Sequence, residues 1–331
     1  MKNTTIILTI TLILSFEICS SALSSEKEVI VYTSVDQVYS SRILNQFEKE
    51  TGITVKTVFD AEASKAVGLE QRLFAEKDAP RADVFWNSEF MRTTRLAHHG
   101  LFEEYHANIN HYVDPNYYSP KKLWFGMGMR TRVFIVNTEI LSPEDYPTKL
   151  SDLINSKYKG KAAISTPFSG STSTHFAALF NRLGEERFIQ FLKNIKENEV
   201  SFLAGNSVVK DAVGHGRFAF GLVDTDDALV GIEQGLPIKM IYYDQDGLGV
   251  FSIFQTIALV KNGPNPANAS RLIDYLLTQR TEKELISMNA VQFPMLTNDD
   301  PGRTPQTWTA QSDEMVDSLD SSVKLLRKYI E

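Results

Sequence analysis

The segments VIVYT (residues 29–33), ITVKTVF (residues 53–59) and ADVFW (residues 82–86) decide the fold of this chain. VIVYT is continuously apolar, which is typical of a strand in a parallel sheet that is covered on both faces. Helical patterns over residues 40–51 and 64–76 separate the three segments. This alternation of strands and helices predicts a doubly wound α/β sheet.

Polar residues follow two of these predicted strands directly. Ser34 and Asp36 come after the first strand, and Asn87 and Glu89 come after the third. Doubly wound sheets bind their ligands at the carboxyl ends of the strands. We therefore expect these four side chains to lie at a ligand site.

The first 24 residues read as a secretory signal peptide. Lys2 supplies a basic start, residues 6–16 are apolar, and small residues follow. The apolar run is shorter than the roughly 20 residues that span a bilayer. Cys19 is the only cysteine, and the large residues before it argue against a lipid anchor. We expect export to the periplasm.

Composition excludes several classes of function. After removal of the signal peptide, about 305 residues remain, enough for two lobes. They contain no cysteine, so disulfides, thiolate zinc sites and cysteine nucleophiles are excluded. The net charge of −7 and the lack of Lys/Arg blocks argue against nucleic acid as a partner.

The stretch TPFSGSTSTH (residues 166–175) is the strongest candidate for a ligand site. It carries six Ser and Thr hydroxyls and lies between an apolar run and a helical pattern. A helix that begins here directs free N–H groups and the positive end of its dipole at one point, which suits an oxyanion. The alternative is an ordinary helix cap.

Charged residues near two other strands extend this site. Arg130 and Arg132 share one side of the strand pattern MRTRVFIVN, where they could hold an oxyanion or form surface ion pairs. A strand over residues 217–223 ends in Asp224, Thr225, Asp226 and Asp227. Three carboxylates exceed what a helix cap needs, which predicts that at least one of them contacts a ligand.

The chain resembles the periplasmic solute-binding proteins of ABC importers, in the branch that contains the ferric-ion-binding proteins. The resemblance rests on VIVYTSVDQ, QFEKETGITVK, ADVFWNSE, MRTRVFIVNT, KGKAAISTPFSGS, GNSVVKDAV and ASRLIDYLLTQ. It implies a type II periplasmic-binding architecture, in which two doubly wound α/β lobes are joined by crossing strands. The N-terminal lobe is expected to comprise residues 27–130 and 255–298, and the C-terminal lobe residues 131–254 and 299–331.

The resemblance also implies a site with an intact half and an altered half. In ferric-binding relatives, the residues that hold a synergistic anion correspond here to Ser169, Gly170, Ser171, Asn206 and Arg130. Thr225 and Asp226 stand where those relatives have a tyrosine pair, and Asp36 stands in place of a histidine. Glu89 is the counterpart of the acidic metal ligand, displaced by one residue.

Three functions remain open at this point. The cleft could take an organic phosphate ester or phosphonate, with Asp36, Glu89, Asp224 and Asp226 accepting from its hydroxyl or amine groups. It could instead carry ferric iron as a transported ligand, through Glu89, Asp226 and an anion. An exported hydrolase is the third possibility, but the Ser residues near His175 match no catalytic motif.

The preferred hypothesis is a monomeric, non-enzymatic binding protein that has no cofactor and delivers its ligand to a membrane permease. The predicted ligand-binding set is Ser34, Asp36, Asn87, Glu89, Arg130, Ser169, Gly170, Ser171, Asn206, Asp224, Thr225 and Asp226.

Overall fold

The computed structural model describes residues 27–60, 64–107, 117–296, 305–310 and 315–331. The predicted signal peptide lies outside these residues. The strands are β1 Glu28–Thr33, β2 Thr54–Phe59, β3 Val84–Asn87, β4 Phe125–Asn137, β5 Ala162–Ser165, β6 Ser201–Leu203, β7 Phe220–Asp224, β8 Ile238–Ile241, β9 Val250–Leu259 and β10 Thr307–Trp308. The α-helices are α1 Gln37–Thr51, α2 Val67–Ala75, α3 Phe90–His98, α4 Gly170–Leu183, α5 Glu185–Glu197, α6 Asn206–Gly214, α7 Thr225–Glu233, α8 Pro266–Leu276, α9 Gln279–Ser287 and α10 Val316–Tyr329.

The strands form one continuous path of hydrogen-bonded neighbours, in the order β2-β1-β3-β9-β4-β7-β5-β6. β1 is parallel to β2 and β3, and β5 is parallel to β6 and β7. β9 and β4 are antiparallel to each other and lie between these two parallel groups. Each parallel group is the sheet of one lobe, so the predicted doubly wound lobes are confirmed.

β4 and β9 run from one lobe into the other. The first half of β4 pairs with β9 as far as Thr131, and the pairing passes to β7 from Arg132 onward. β9 pairs with β10 at Val250 and reaches β3 at Leu259. The resemblance implies crossing strands, and β4 and β9 are those strands. β4 begins four residues before the strand pattern MRTRVFIVN (residues 129–137). The residue boundaries of the lobes stay a prediction.

Apolar side chains cover both faces of both sheets, which explains the continuous apolar runs. In β1, Val31 packs into the core on one face of the sheet, and its neighbour Tyr32 packs into the core on the other. In β4, Phe134 and Ile135 divide between two further clusters in the same way. Successive side chains of a strand point to opposite faces, so a strand covered on both faces carries apolar side chains at successive positions.

Two predicted elements have different bounds in the structure. The predicted strand over residues 217–223 begins only at Phe220, because Arg217 N still donates to Ala212 O at the end of α6. The sequence pattern over residues 268–288 predicts a helix, but the structure has two helices there, α8 and α9, since Thr278 accepts from Thr281 N and caps α9. Among the described residues, no helix combines the length and apolar character needed to cross a bilayer.

Candidate functional site

A small cavity, partly open to solvent, lies where the C-terminal lobe faces Lys65 of the N-terminal lobe. Its lining is almost entirely polar and comes from five separate stretches of the chain. The lining residues are Lys65, Arg130, Ser165, Thr166, Ser169, Gly170, Ser171, Ala204, Gly205, Asn206, Asp224, Asp226 and Asp227.

Three helix N-termini meet at this cavity. β5, β6 and β7 are neighbouring parallel strands, so their carboxyl ends lie at one edge of the sheet. α4, α6 and α7 begin at that edge, close behind the three strands. The N–H groups in the first turn of a helix have no intrahelical partner, and the helix dipole is positive at this end. The edge therefore favours an anion.

Ser169, Gly170 and Ser171, which we call the SGS turn, open α4 and line the cavity. Gly170 has φ +56°, a left-handed conformation that costs little only for glycine. Its N–H donates to Lys65 O over 3.0 Å, which ties the turn to the opposite lobe. The stretch predicted to bind an anion thus lies in the inter-lobe cleft.

Arg132 organises the side chains behind the SGS turn. It is fully buried, and its Nη1 donates to Ser171 Oγ at 3.1 Å, to Asn206 Oδ1 at 3.1 Å and to Asp224 Oδ1 at 2.7 Å. Asn206 Nδ2 also donates to Ser171 Oγ, over 3.2 Å. Sequence reasoning placed Arg132 beside Arg130 but did not include it in the binding set. Its role depends on contacts with residues 39 to 92 positions away.

Asp224 is neutralised by two guanidinium groups. Arg132 holds one of its oxygens, and Arg130 Nε lies 3.1 Å from the other. Burial alone would raise the pKa of Asp224, but Arg132 and Arg130 hold it below the ordinary value. Asp224 is therefore ionised and already paired.

Asp226 and Asp227 lie beside Asp224, and carboxylate oxygens of all three fall within 4.8 Å of one another. Burial raises the pKa of Asp226 to about 6, with Asp224 adding to the rise and Arg130 opposing it. Burial, reinforced by the charges of Asp226 and Asp224, raises the pKa of Asp227 well above its ordinary value. Asp227 was absent from the predicted set, although its signal was present in the three carboxylates among four residues.

Asp36 and Lys65 form an ion pair at the edge of the cavity. Lys65 Nζ donates to Asp36 Oδ1 at 2.5 Å, and both residues belong to the N-terminal lobe. Asp36 was expected to accept from a ligand, but it does not line the cavity, whereas Lys65 does. Sequence reasoning missed Lys65 because it lies in a predicted helix 29 residues beyond Asp36.

Four other predicted residues lie outside the cavity lining. Glu89 is fully buried and caps α3 by accepting from Met91 N and Arg92 N. Thr174 Oγ1 donates to Glu89 Oε2 over 2.7 Å. The remaining three predicted residues also make contacts within the protein: Ser34 Oγ donates to Asn87 Oδ1, and Thr225 Oγ1 donates to Gln292 Oε1.

His175 does not form a catalytic pair with the cavity serines. It is fully buried, outside the cavity lining, and its ring stacks on Phe251 with the centroids 4.9 Å apart. Burial lowers the pKa of His175 well below its ordinary value. Among the described residues, neither ring nitrogen has a hydrogen-bond partner.

Known proteins match the chain over most of its length. Residues 79–312 match the family described as bacterial extracellular solute-binding protein. The Fe(3+)-binding periplasmic protein of Serratia marcescens is 26% identical, over 83% of this chain and 80% of that protein. A putative 2-aminoethylphosphonate-binding periplasmic protein of Salmonella typhimurium is 23% identical, over 96% of this chain and 97% of that protein.

The structure of iron-bound HitA from Pseudomonas aeruginosa superposes with a TM-score of 0.78 at 23% identity. The superposition covers 92% of this chain and 99% of that chain. It shows the same fold and confirms the predicted type II periplasmic-binding architecture.

Proposed function

Since the chain belongs to the bacterial extracellular solute-binding protein family and is the substrate-binding component of an ABC importer, we propose that its cargo is a small organic oxyanion of the phosphate ester or phosphonate type. The cargo is held in the inter-lobe cavity for delivery to a membrane permease. The observation that carries this proposal is the convergence of three helix N-termini on one polar cavity. Backbone N–H groups in that arrangement bind phosphate-like groups through both hydrogen bonds and dipoles.

The binding groups fall into a short set. The SGS turn supplies serine hydroxyls and the N–H groups of the first turn of α4 other than that of Gly170, which donates to Lys65 O. Asn206 and Arg130 complete the lining around the anion. Arg132 holds Ser171 and Asn206 in place from behind. Because these side chains are buried and already oriented, little conformational entropy is lost when the ligand binds.

Ferric iron with a bound anion is the second candidate, and the clustered carboxylates of Asp224, Asp226 and Asp227 favour it. Carboxylate oxygens are hard ligands that suit a hard cation. Against iron, Asp224 is already paired with Arg130 and Arg132, and Arg130 Nη1 lies 3.9 Å from Asp226. A cationic guanidinium so close to the ligands repels a trivalent ion.

The relatives of this chain include periplasmic binding proteins, which supports a periplasmic location. We propose that residues 1–24 direct export and that the protein acts as a monomer. Its partners are then the small ligand and the permease.

A thermal-shift screen tests the ligand class. The protein, purified without residues 1–24 and stripped with chelator, is melted with ferric citrate plus phosphate and with a panel of sugar phosphates and phosphonates. A ligand at 100 times its dissociation constant adds about 2.7 kcal/mol to the free energy of unfolding. A shift with an organic oxyanion in the absence of iron supports the proposal, and a shift that requires iron rejects it.

A double variant locates the anion. Ser169→Ala with Ser171→Ala should abolish most of the shift, while Ser142→Ala with Ser156→Ala, two exposed serines far from the cavity, should leave it intact. Melting without ligand shows whether each variant is folded. Full affinity in the Ser169 and Ser171 variant contradicts the proposed anion pocket.

A further inference from the structure

The charges around the cavity do not balance, and the imbalance has a definite location. Asp36 is paired with Lys65, and Asp224 is paired with Arg130 and Arg132. Together with Asp226 and Asp227, these groups give four carboxylates for three cationic side chains, so one negative charge remains, and it lies at Asp226 and Asp227. Arg130 Nη1 lies 3.9 Å from Asp226 Oδ2, and Nε of the same side chain lies 3.1 Å from Asp224.

Asp226 has an acceptor that the described part of the protein leaves unmatched. The residue is buried, and its side chain is only 9% exposed. Its Oδ1 has no hydrogen-bond partner among the described residues, although Asp226 lines the cavity. Buried polar atoms are nearly always satisfied, and the exceptions require an explanation such as a missing ligand group. A donor carried by the cargo would satisfy this oxygen.

The chemical type of that donor group follows from the charge it carries and from the number of hydrogen bonds it can donate. A hydroxyl would donate one hydrogen bond but leave the remaining negative charge of the clustered carboxylates uncompensated. A metal ion at this cluster would lie beside the Arg130 guanidinium and beside Asp224, which is already paired with both arginines. An alkylammonium carries one positive charge and three donors, so it can bind both carboxylates and tolerate Arg130 nearby.

We infer that the cargo is an aminoalkyl phosphonate or aminoalkyl phosphate ester, with its ammonium group held by Asp226 and Asp227 and its oxyanion held at the SGS turn. This inference rests on the proposed function and names the ligand class of the same cavity. Both ends of the ligand meet groups of opposite charge within one small cavity, so the carbon chain between them is short.

Isothermal titration calorimetry with four compounds tests the inference. The compounds are 2-aminoethylphosphonate, 3-aminopropylphosphonate, ethylphosphonate and inorganic phosphate, added to protein that was unfolded and refolded to remove bound ligand. We expect 2-aminoethylphosphonate to bind about 100-fold more tightly than ethylphosphonate, since its ammonium adds charge-assisted hydrogen bonds to buried carboxylates. The longer aminopropyl compound measures how closely the two subsites are spaced.

A double variant tests whether Asp226 and Asp227 cause the preference for the amino compound. In Asp226→Asn with Asp227→Asn, the preference for the amino compound should fall below about 10-fold, while ethylphosphonate binding remains. Asp246→Asn, at an exposed carboxylate near Lys149, is the matched control and should keep the full preference.

The ammonium subsite and the proposed oxyanion function would be refuted by different results. If ethylphosphonate binds as tightly as 2-aminoethylphosphonate, the ammonium subsite is wrong but the oxyanion proposal stands. If none of the four compounds binds and ferric citrate does, both are wrong. A preference that survives in the Asp226 and Asp227 variant places the ammonium elsewhere and also overturns the inference.

Discussion

Replacing Asp226 by Asn should stabilise the protein in the absence of ligand. Burial raises the pKa of this carboxyl to about 6, so its ionised form is unfavourable in the folded state. A raised carboxyl pKa means that the folded protein binds more protons than the unfolded chain between about pH 4 and pH 6. Stability is therefore lost as the pH rises through that window, and it stays lost at neutral pH.

The size of the effect follows from the pKa difference. The shift from 3.8 to about 6 is roughly 2 units, and each unit corresponds to about 1.4 kcal/mol, so the penalty approaches 3 kcal/mol. Asparagine removes the charge and keeps the shape, but it also removes the attraction between the carboxylate and Arg130 at 3.9 Å. We expect a gain of about 1–3 kcal/mol at pH 7.5, or roughly 2–6 °C in melting temperature.

Melting curves of both proteins from pH 4 to pH 8 measure the difference. The melting temperature of Asp226→Asn minus that of the wild type should be near zero at pH 4 and should rise through pH 6. Asp246→Asn, whose carboxylate is exposed, should show no such rise. A difference that is flat with pH, or a variant less stable than the wild type at pH 7.5, refutes the electrostatic argument.

Four further substitutions give distinct outcomes. Arg132→Lys should lower the free energy of unfolding by about 2–4 kcal/mol and weaken phosphonate binding, measured by calorimetry, at least about 10-fold. The reason is that a single ammonium cannot make all the buried hydrogen bonds of the guanidinium. Gly170→Ala and Gly52→Ala should each lower the free energy of unfolding, measured with denaturant, by about 1 kcal/mol, since both glycines have positive φ. Only Gly170→Ala should weaken ligand binding. Equal affinities of the two variants would count against the role of the SGS turn. Thr174→Val should lower the free energy of unfolding by about 1–3 kcal/mol, because it removes the hydrogen-bond donor to Glu89. Ligand selectivity should not change. An altered selectivity would show that Glu89 belongs to the site.

Local pattern was enough to predict much of this protein. The continuous apolar run in β1 indicated a sheet covered on both faces, and the structure covers it on both. The hydroxyl-rich stretch after β5 indicated a helix start suited to an anion, and that helix begins at Gly170. These features depend on backbone periodicity and on residues within a few positions of one another, so the order of residues alone determined them.

The tertiary structure decided which charges are available to a ligand. Lys65 neutralises Asp36 across 29 residues, and Arg132 reaches Asp224 across 92. Glu89, which looked free at the end of β3, is used by the N–H groups of its own helix. Asp226 and Asp227 differ from Asp224 only in what the folded chain brings beside them. Because Coulomb energies depend on distance and burial rather than on sequence separation, the chain had to fold before these carboxylates could be told apart.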